Sequence, residues 1–105
     1  MNPKPGEIYL VDFGMIGKVR PAIVMSREDP QSPRALSLCA PITTASRASL
    51  YEVPLGKLKF LERESWANAQ GLTSIGHEKL VRRLGWISGD QISELKQALR
   101  YALDL

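Results

Sequence analysis

Residues 20–44 read RPAIVMSREDPQSPRALSLCAPITT, and this stretch decides the fold. Two apolar runs, 20–26 and 35–40, flank a segment rich in proline and acidic residues, which is typical of a turn. Pro21 fits the start of the first run, because the first residue of a strand needs no donor for the hydrogen-bond ladder. The pattern therefore predicts an antiparallel hairpin whose second strand is closed by residues 41–44.

Further strands are predicted on both sides of this hairpin. Alternating apolar residues predict a strand over 7–13, and shorter apolar segments predict strands over 50–53, 66–70 and 79–86. Such short strands, joined by turns and loops, favour a curled antiparallel sheet.

The last part of the chain predicts a helix over 89–104. Ser88 and Gln91 have the spacing of a capping box. Behind them, apolar residues recur at helical spacing, namely Ile92, Leu95, Leu99 and Ala102 or Leu103. The fold class is therefore a β-rich α+β domain, residues 1–105, with one C-terminal amphipathic helix.

Composition excludes several classes of protein. The 105 residues suffice for one domain. The single cysteine, Cys39, excludes an internal disulfide and a cysteine-based zinc site, and the single histidine, His77, excludes two-histidine catalysis within one chain. No apolar run approaches the roughly 20 residues of a membrane span, and no secretion signal is recognisable. We expect a protein of the reducing cytoplasm.

Charge is unevenly distributed along the chain. The net charge is +3, but residues 13–59 contain seven bases and only three acids. This segment would attract a polyanion such as a nucleic acid. An ordinary solvated surface with scattered charges is the alternative.

The predicted hairpin brings a candidate anion site together. Antiparallel pairing places Arg20 near Thr43 and Thr44, at the end of the second strand. A guanidinium donates two parallel hydrogen bonds to phosphate and keeps its charge, and hydroxyls and backbone N–H groups would complete the cradle. Alternatively, Arg20 forms a surface ion pair with Asp12, and Thr43 only caps a turn. The adjacent acids Glu28 and Asp29 are a weak metal site, because they lie in a proline-rich turn.

Five segments carry a resemblance to a known family: Pro5–Phe13, Arg20–Val24, Ala40–Thr44, Ser65–Gln70 and Leu80–Gly85. In this order and spacing they resemble the MazF/PemK family of toxin endoribonucleases, which belong to type II toxin–antitoxin systems. The resemblance spans nearly the whole chain. It implies an SH3-like curled antiparallel barrel, with the C-terminal helix packed on it.

The resemblance also implies a mechanism and partners. Arg20 matches the family's catalytic arginine and Thr43 its catalytic threonine. The implied reaction is metal-independent cleavage of single-stranded RNA, without cofactors, by attack of the 2′-hydroxyl on the adjacent phosphate. The implied partners are a second copy in a homodimer and a cognate antitoxin with an acidic tail.

Two departures from the family pattern concern acidic residues. The loop at 14–19 is short and contains no acid, and the segment 66–70 lacks the acid that some relatives carry before the glutamine. The general base therefore stays unassigned, since arginine is a poor proton acceptor and His77 lies in a turn away from the matched motifs.

Several polar residues near these motifs are candidates for RNA contacts, or are simply exposed to solvent. They are Lys18, Thr44, Ser46, Arg47 and Gln70. Trp66 and Trp86 could stack on bases, but their apolar context favours packing in the core. Cys39 and Met25 are expected in the core.

Two other functions stay open at this point. One is a toxin of the same fold that poisons DNA gyrase, although the chain ends in YALDL rather than in the Trp-Gly-Ile type of terminus. The other is a non-enzymatic SH3-like module that binds RNA or a peptide.

Overall fold

The computed structural model describes residues 2–14 and 18–105. Within these ranges the chain forms seven strands and one α-helix: β1 (Glu7–Asp12), β2 (Val19–Val24), β3 (Leu36–Thr43), β4 (Glu52–Lys57), β5 (Glu64–Asn68), β6 (Thr73–Gly76), β7 (Leu80–Trp86) and α1 (Gly89–Leu103). Short 3₁₀ helices at Ala69–Gly71 and His77–Lys79 precede β6 and β7. No helix in this described part is long and apolar enough to span a membrane.

The predicted hairpin is confirmed. β2 and β3 pair antiparallel, with Ala22 opposite Pro41 and Val24 opposite Cys39. The second strand is longer than predicted, because it does not stop at Pro41. Ile42 and Thr43 continue it by pairing with β5, so the end of β3 is held by a second neighbour.

All the strands belong to one antiparallel sheet, in the order β4-β5-β3-β2-β1-β7, with β6 also paired to β3. Within the described residues the outer strands β4 and β7 do not pair with each other, so the sheet is open. The expected SH3-like barrel is therefore not confirmed, whereas the antiparallel sheet with one C-terminal helix is.

Apolar side chains fill both faces of the sheet. Alternation along β1 sends Ile8 to one face and Tyr9 and Val11 to the other. The first face carries the larger core, which α1 covers with the buried side chains of Leu95 and Ala98. Cys39 is fully buried on the second face, and Met25 is partly buried against the first, so both belong to the core as predicted.

The helix begins as the sequence predicts. The Ser88 hydroxyl accepts a hydrogen bond from the Gln91 N–H at 3.1 Å, and the Gln91 amide oxygen accepts one from the Ser88 N–H at 3.0 Å. The Gln91 side chain also donates to the Leu55 carbonyl at 3.3 Å, which ties the first turn to β4. Of the two predicted ends of the apolar stripe, Ala102 is partly buried and Leu103 is 54% exposed, so the stripe ends at Ala102.

Three further expectations need correction. β6 was not predicted, because only Ile75 among its four residues is buried. The strand predicted over 66–70 is β5, which ends at Asn68, and residues 69–71 form a 3₁₀ turn instead.

Trp86 does not pack in the core. It ends the outer strand β7 with 67% of its surface exposed, and the Arg83 guanidinium lies 5.9 Å from its ring centre. Trp66, in contrast, is partly buried.

Candidate active site

The hairpin brings Arg20 and Thr43 to one cavity. β2 and β3 pair in a register that sets Ala22 opposite Pro41. Continued by two residues, this register places position 20 opposite position 43. Both side chains, together with Thr44, line a cavity of about 590 Å³ at this end of the hairpin. The structure therefore brings these three residues to one cavity.

The alternative ion pair between Arg20 and Asp12 is not found among the described residues. The described residues form one ion pair, between Arg83 and Glu7 at 3.0 Å. Asp12 accepts a hydrogen bond from the Gly14 N–H at 2.8 Å instead of pairing with Arg20. The Arg20 side chain is exposed, so its guanidinium is accessible to a ligand in the cavity.

Thr43 has its hydroxyl oxygen fixed by a local turn. The Ala45 N–H donates to Thr43 Oγ1 at 3.1 Å. The turn-capping role considered from the sequence is therefore real, but it uses only the acceptor capacity of the hydroxyl. The O–H proton stays available for donation to an anion, because a hydroxyl both donates and accepts.

The connection between β4 and β5 forms another wall of the cavity, which the sequence analysis missed. Its contributions are Phe60, Leu61, Glu62 and Arg63, and the cavity is completed by Pro21, Ile42 and Ser65. No recognised motif marks this connection. Its one local signal is a charged pair that follows two apolar residues, a pattern too common to indicate a site.

This connection is held against the sheet. The Leu61 N–H donates to the Leu58 carbonyl at 3.0 Å, and Leu58, Phe60 and Leu61 pack on the larger core. The Phe60 ring lies so close to Gly85 of β7 that a β-carbon at that position would come within 2.5 Å of it. Beyond the charged pair, the buried Ser65 hydroxyl donates to the Arg63 carbonyl at 3.1 Å.

The charges in the cavity favour an anionic ligand. Arg20 and Arg63 each contribute a positive charge, and Glu62 is the one carboxylate among the described residues that line it. The cavity therefore carries a formal charge of +1 beside the hydroxyls of two threonines. Such a set of donors suits a phosphodiester.

A second cavity, of about 450 Å³, adjoins the first through Thr43. It brings together Arg47 and Gln70, two of the candidate RNA contacts, with Asn68 and Tyr51. Glu52 organises the loop beside it, since its Oε1 accepts from the Arg47 N–H at 2.8 Å and from the Ser46 hydroxyl at 3.4 Å. Gln70 is exposed, and its own N–H donates to the Asn68 side chain at 3.0 Å.

The remaining candidates lie outside the two cavities. Lys18 is partly buried beside the hairpin, and its carbonyl accepts from the Phe13 N–H at 3.1 Å. Ser46 is exposed and bonded to Glu52 as described. His77 is remote from the site: its Nε2 lies 2.9 Å from the Ser37 hydroxyl, near the opposite end of β3.

The described residues contain no cluster of three or more side chains suited to bind a metal ion.

The shifted pKa values belong to the core rather than to the site. Burial raises the pKa of the Cys39 thiol to about 11. Burial also raises the pKa of Tyr9, and the nearby carboxylate of Glu7 adds to this effect. A buried, protonated thiol is unreactive, so Cys39 is a packing residue.

Comparison with known proteins identifies the class of protein. Residues 4–103 match the family described as "PemK-like, MazF-like toxin of type II toxin-antitoxin system". The match covers almost the whole chain. The chain belongs to this family of toxins.

Individual relatives agree with this assignment. The chain is 31% identical over 103 residues to the probable endoribonuclease MazF5 of Mycobacterium tuberculosis, covering 97% of this chain and 94% of the relative. The solved structure of M. tuberculosis toxin MazF-mt6 is similar with a TM-score of 0.82 and 27% identity, covering 94% of this chain and 97% of that one. A mycobacterial endoribonuclease solved with its cognate antitoxin gives a TM-score of 0.85 at 24% identity, covering 98% and 96% of the two chains, which shows a shared fold.

Proposed function

We propose that this chain is a metal-independent endoribonuclease toxin that cleaves single-stranded RNA. The observation that carries the proposal is the convergence of Arg20 and Thr43 on one accessible, positively charged cavity. Membership of the toxin family supports it, as does the similarity to endoribonucleases of M. tuberculosis.

The reaction would begin with attack of a ribose 2′-hydroxyl on the neighbouring phosphorus. DNA is resistant to such a reaction, because it lacks the nucleophile. The transition state gathers negative charge on the non-bridging oxygens, where the Arg20 guanidinium would bind it and would also donate to the departing 5′-oxygen. Thr43 would donate its free O–H to a non-bridging oxygen, and Thr44 would line the same pocket. Fixed donors of this kind stabilise developing charge.

The RNA strand would continue from the first cavity into the second, because the two share Thr43. Arg47 would meet a phosphate there, and Gln70 would meet a base edge. Ser46 is held by the same Glu52 that holds the Arg47 backbone, so both would be presented by one ordered loop. Lys18, which directly precedes β2, would contact the RNA strand on the other side of Arg20.

The source of the positive charge supports metal independence. Two arginines line the first cavity, so protein side chains can supply the charge that a divalent cation would otherwise provide. This part of the proposal predicts full cleavage in the presence of EDTA.

Incubation of the purified protein with a long mixed single-stranded RNA in EDTA tests the proposed function. Discrete fragments are expected, and an equally long single-stranded DNA should stay intact. Tight binding without fragments would favour a non-enzymatic binding module. Gyrase-dependent breaks in duplex DNA would favour the gyrase-poisoning alternative.

We further propose two partners and a location. A second copy would form a homodimer, and Trp86, exposed at the end of the outer strand β7, offers apolar surface for such a contact. A cognate antitoxin with an acidic tail would bind the basic cavity by charge complementarity, and a mycobacterial endoribonuclease of the same fold is known in complex with its cognate antitoxin. Both interactions would take place in the cytoplasm.

A further inference from the structure

Glu62 is a candidate for the proton acceptor that the sequence leaves unassigned. Among the described residues it is the one carboxylate that lines the cavity of Arg20 and Thr43. Cleavage by a 2′-hydroxyl requires a group that removes its proton, and arginine and threonine are poor acceptors at neutral pH. Two segments carry an acid in members of the family, namely the loop at 14–19 and the residues before Gln70. Neither contains an acid in this chain.

The carboxylate is carried by an anchored segment. Phe60 and Leu61, directly before it, pack on the larger core, and Phe60 also lies against Gly85. Directly after it, the Arg63 carbonyl accepts from the buried Ser65 hydroxyl. The residues on both sides of Glu62 are therefore held in place, whereas the Glu62 side chain itself is exposed at the cavity. A catalytic base needs this combination of fixed position and access.

Two guanidiniums share the cavity with this carboxylate. Arg63 follows Glu62 in sequence and Arg20 lines the same cavity, so the cavity keeps a formal charge of +1 and a carboxylate there does not prevent the binding of a phosphodiester.

We propose that Glu62 is the general base of the reaction, an inference that rests on the proposed ribonuclease function. Its carboxylate takes the proton of the 2′-hydroxyl as the 2′-oxygen forms its bond to phosphorus. The bond from phosphorus to the 5′-oxygen breaks, and that oxygen keeps the electron pair, is stabilised by hydrogen bonds from the Arg20 guanidinium and takes a proton from water. Glu62 then gives its proton to the hydroxide so formed, and the net products are a 2′,3′-cyclic phosphate and a 5′-hydroxyl.

Glu62→Gln tests this role against Glu64→Gln as the matched control. Glu64 is also exposed but lies in β5 outside the cavity lining. On a short RNA containing one mapped cleavage site, E62Q should lower kcat about 100-fold, with KM and thermal unfolding unchanged. Its rate should also lose the increase with pH that ionisation of one carboxylate produces. E62D should retain intermediate activity, and E64Q should match the wild type.

A substrate with sulfur in place of the bridging 5′-oxygen separates a base from an acid. Sulfur leaves without protonation, so the E62Q defect should persist on this substrate if Glu62 is the base. Restoration of the rate would show that Glu62 protonates the leaving group, which contradicts the proposal. Wild-type kcat and pH dependence in E62Q would also overturn it. A wild-type protein that cleaves no RNA would instead overturn the proposed function and this inference with it.

Discussion

At the scale of single residues, the proposed function assigns Arg20 and Thr43 different tasks in binding one phosphate. Arg20 contributes a permanent charge with paired donors, and Thr43 contributes a hydroxyl whose oxygen already accepts from the Ala45 N–H. Spacing in the sequence could predict their convergence, because the hairpin register depends only on two apolar runs and a turn. Spacing could not predict that Glu62 lines the same cavity. The approach of the β4–β5 connection to this end of the hairpin depends on how Phe60 packs.

Substitution of either residue should remove transition-state stabilisation. Arg20→Ala and Thr43→Ala are each expected to slow RNA cleavage by about 10²–10³-fold, the usual loss for one preorganised donor. Arg20→Lys should recover little, because an ammonium cannot form the paired hydrogen bonds of a guanidinium. Single-turnover rates on a labelled RNA measure this, with Arg34→Ala, in the turn before β3, as the control. Near-wild-type cleavage by R20A would show that the cavity is not the active site.

Burial of Cys39 makes stability depend on pH. Its thiol has a pKa raised by burial from 9.0 to about 11, so the folded protein keeps the proton in a range where the unfolded chain loses it. This contribution to stability is complete below pH 9 and is lost as pH rises to about 11, an effect of about 2–3 kcal/mol. Urea unfolding at several pH values should show a steeper loss in the wild type than in Cys39→Ala. Parallel curves for the two proteins would contradict the assignment.

At the scale of elements, the site depends on the contact between the β4–β5 connection and β7. Sequence periodicity predicted α1 and its capping box well, because both signals are local. It missed β6, which has one buried residue, and it placed Trp86 in the core although an outer strand leaves that ring exposed. The formation of β6 and the exposure of Trp86 both depend on packing between strands that are distant in sequence. No local sequence pattern indicates such packing.

Gly85→Ala tests this contact between elements. A β-carbon at position 85 would come within 2.5 Å of the Phe60 ring, so the ring and the connection that it anchors must move. We expect a loss of about 1–3 kcal/mol in the free energy of unfolding, together with slower RNA cleavage. Gly89→Ala is the control, because among the described residues no atom beyond its chain neighbours and its own helix backbone lies within 4 Å of the added carbon. If G85A cleaves RNA at the wild-type rate, the active geometry does not depend on this anchor.

At the scale of the whole molecule, the uneven charge would attract a polyanion such as RNA. All of the net positive charge lies in residues 13–59, the segment that carries Arg20 and Arg47, because the rest of the chain contains one more acid than bases. The sequence predicted this asymmetry directly. It could not predict that two adjoining cavities share Thr43, which depends on the order of strands in the sheet.

Salt dependence measures how many phosphates this surface neutralises. Arg47→Ala should weaken the binding of a non-cleavable 2′-O-methyl RNA and reduce the slope of log K against log salt by about 0.7, the loss of one phosphate contact on a single strand. Arg34→Ala should leave the slope unchanged. Fluorescence anisotropy at several salt concentrations provides both slopes, and identical slopes for R47A and the wild type would remove Arg47 from the RNA path.

The most direct test of the proposed reaction is the chemistry of the ends that it leaves. Mass spectrometry of RNA cleaved in EDTA should find a 2′,3′-cyclic phosphate on one fragment and a 5′-hydroxyl on the other. Replacement of the single ribose before the cleaved bond by deoxyribose should abolish cleavage there. Fragments that carry a 5′-phosphate, or undiminished cleavage at the deoxyribose, would contradict attack by the 2′-hydroxyl.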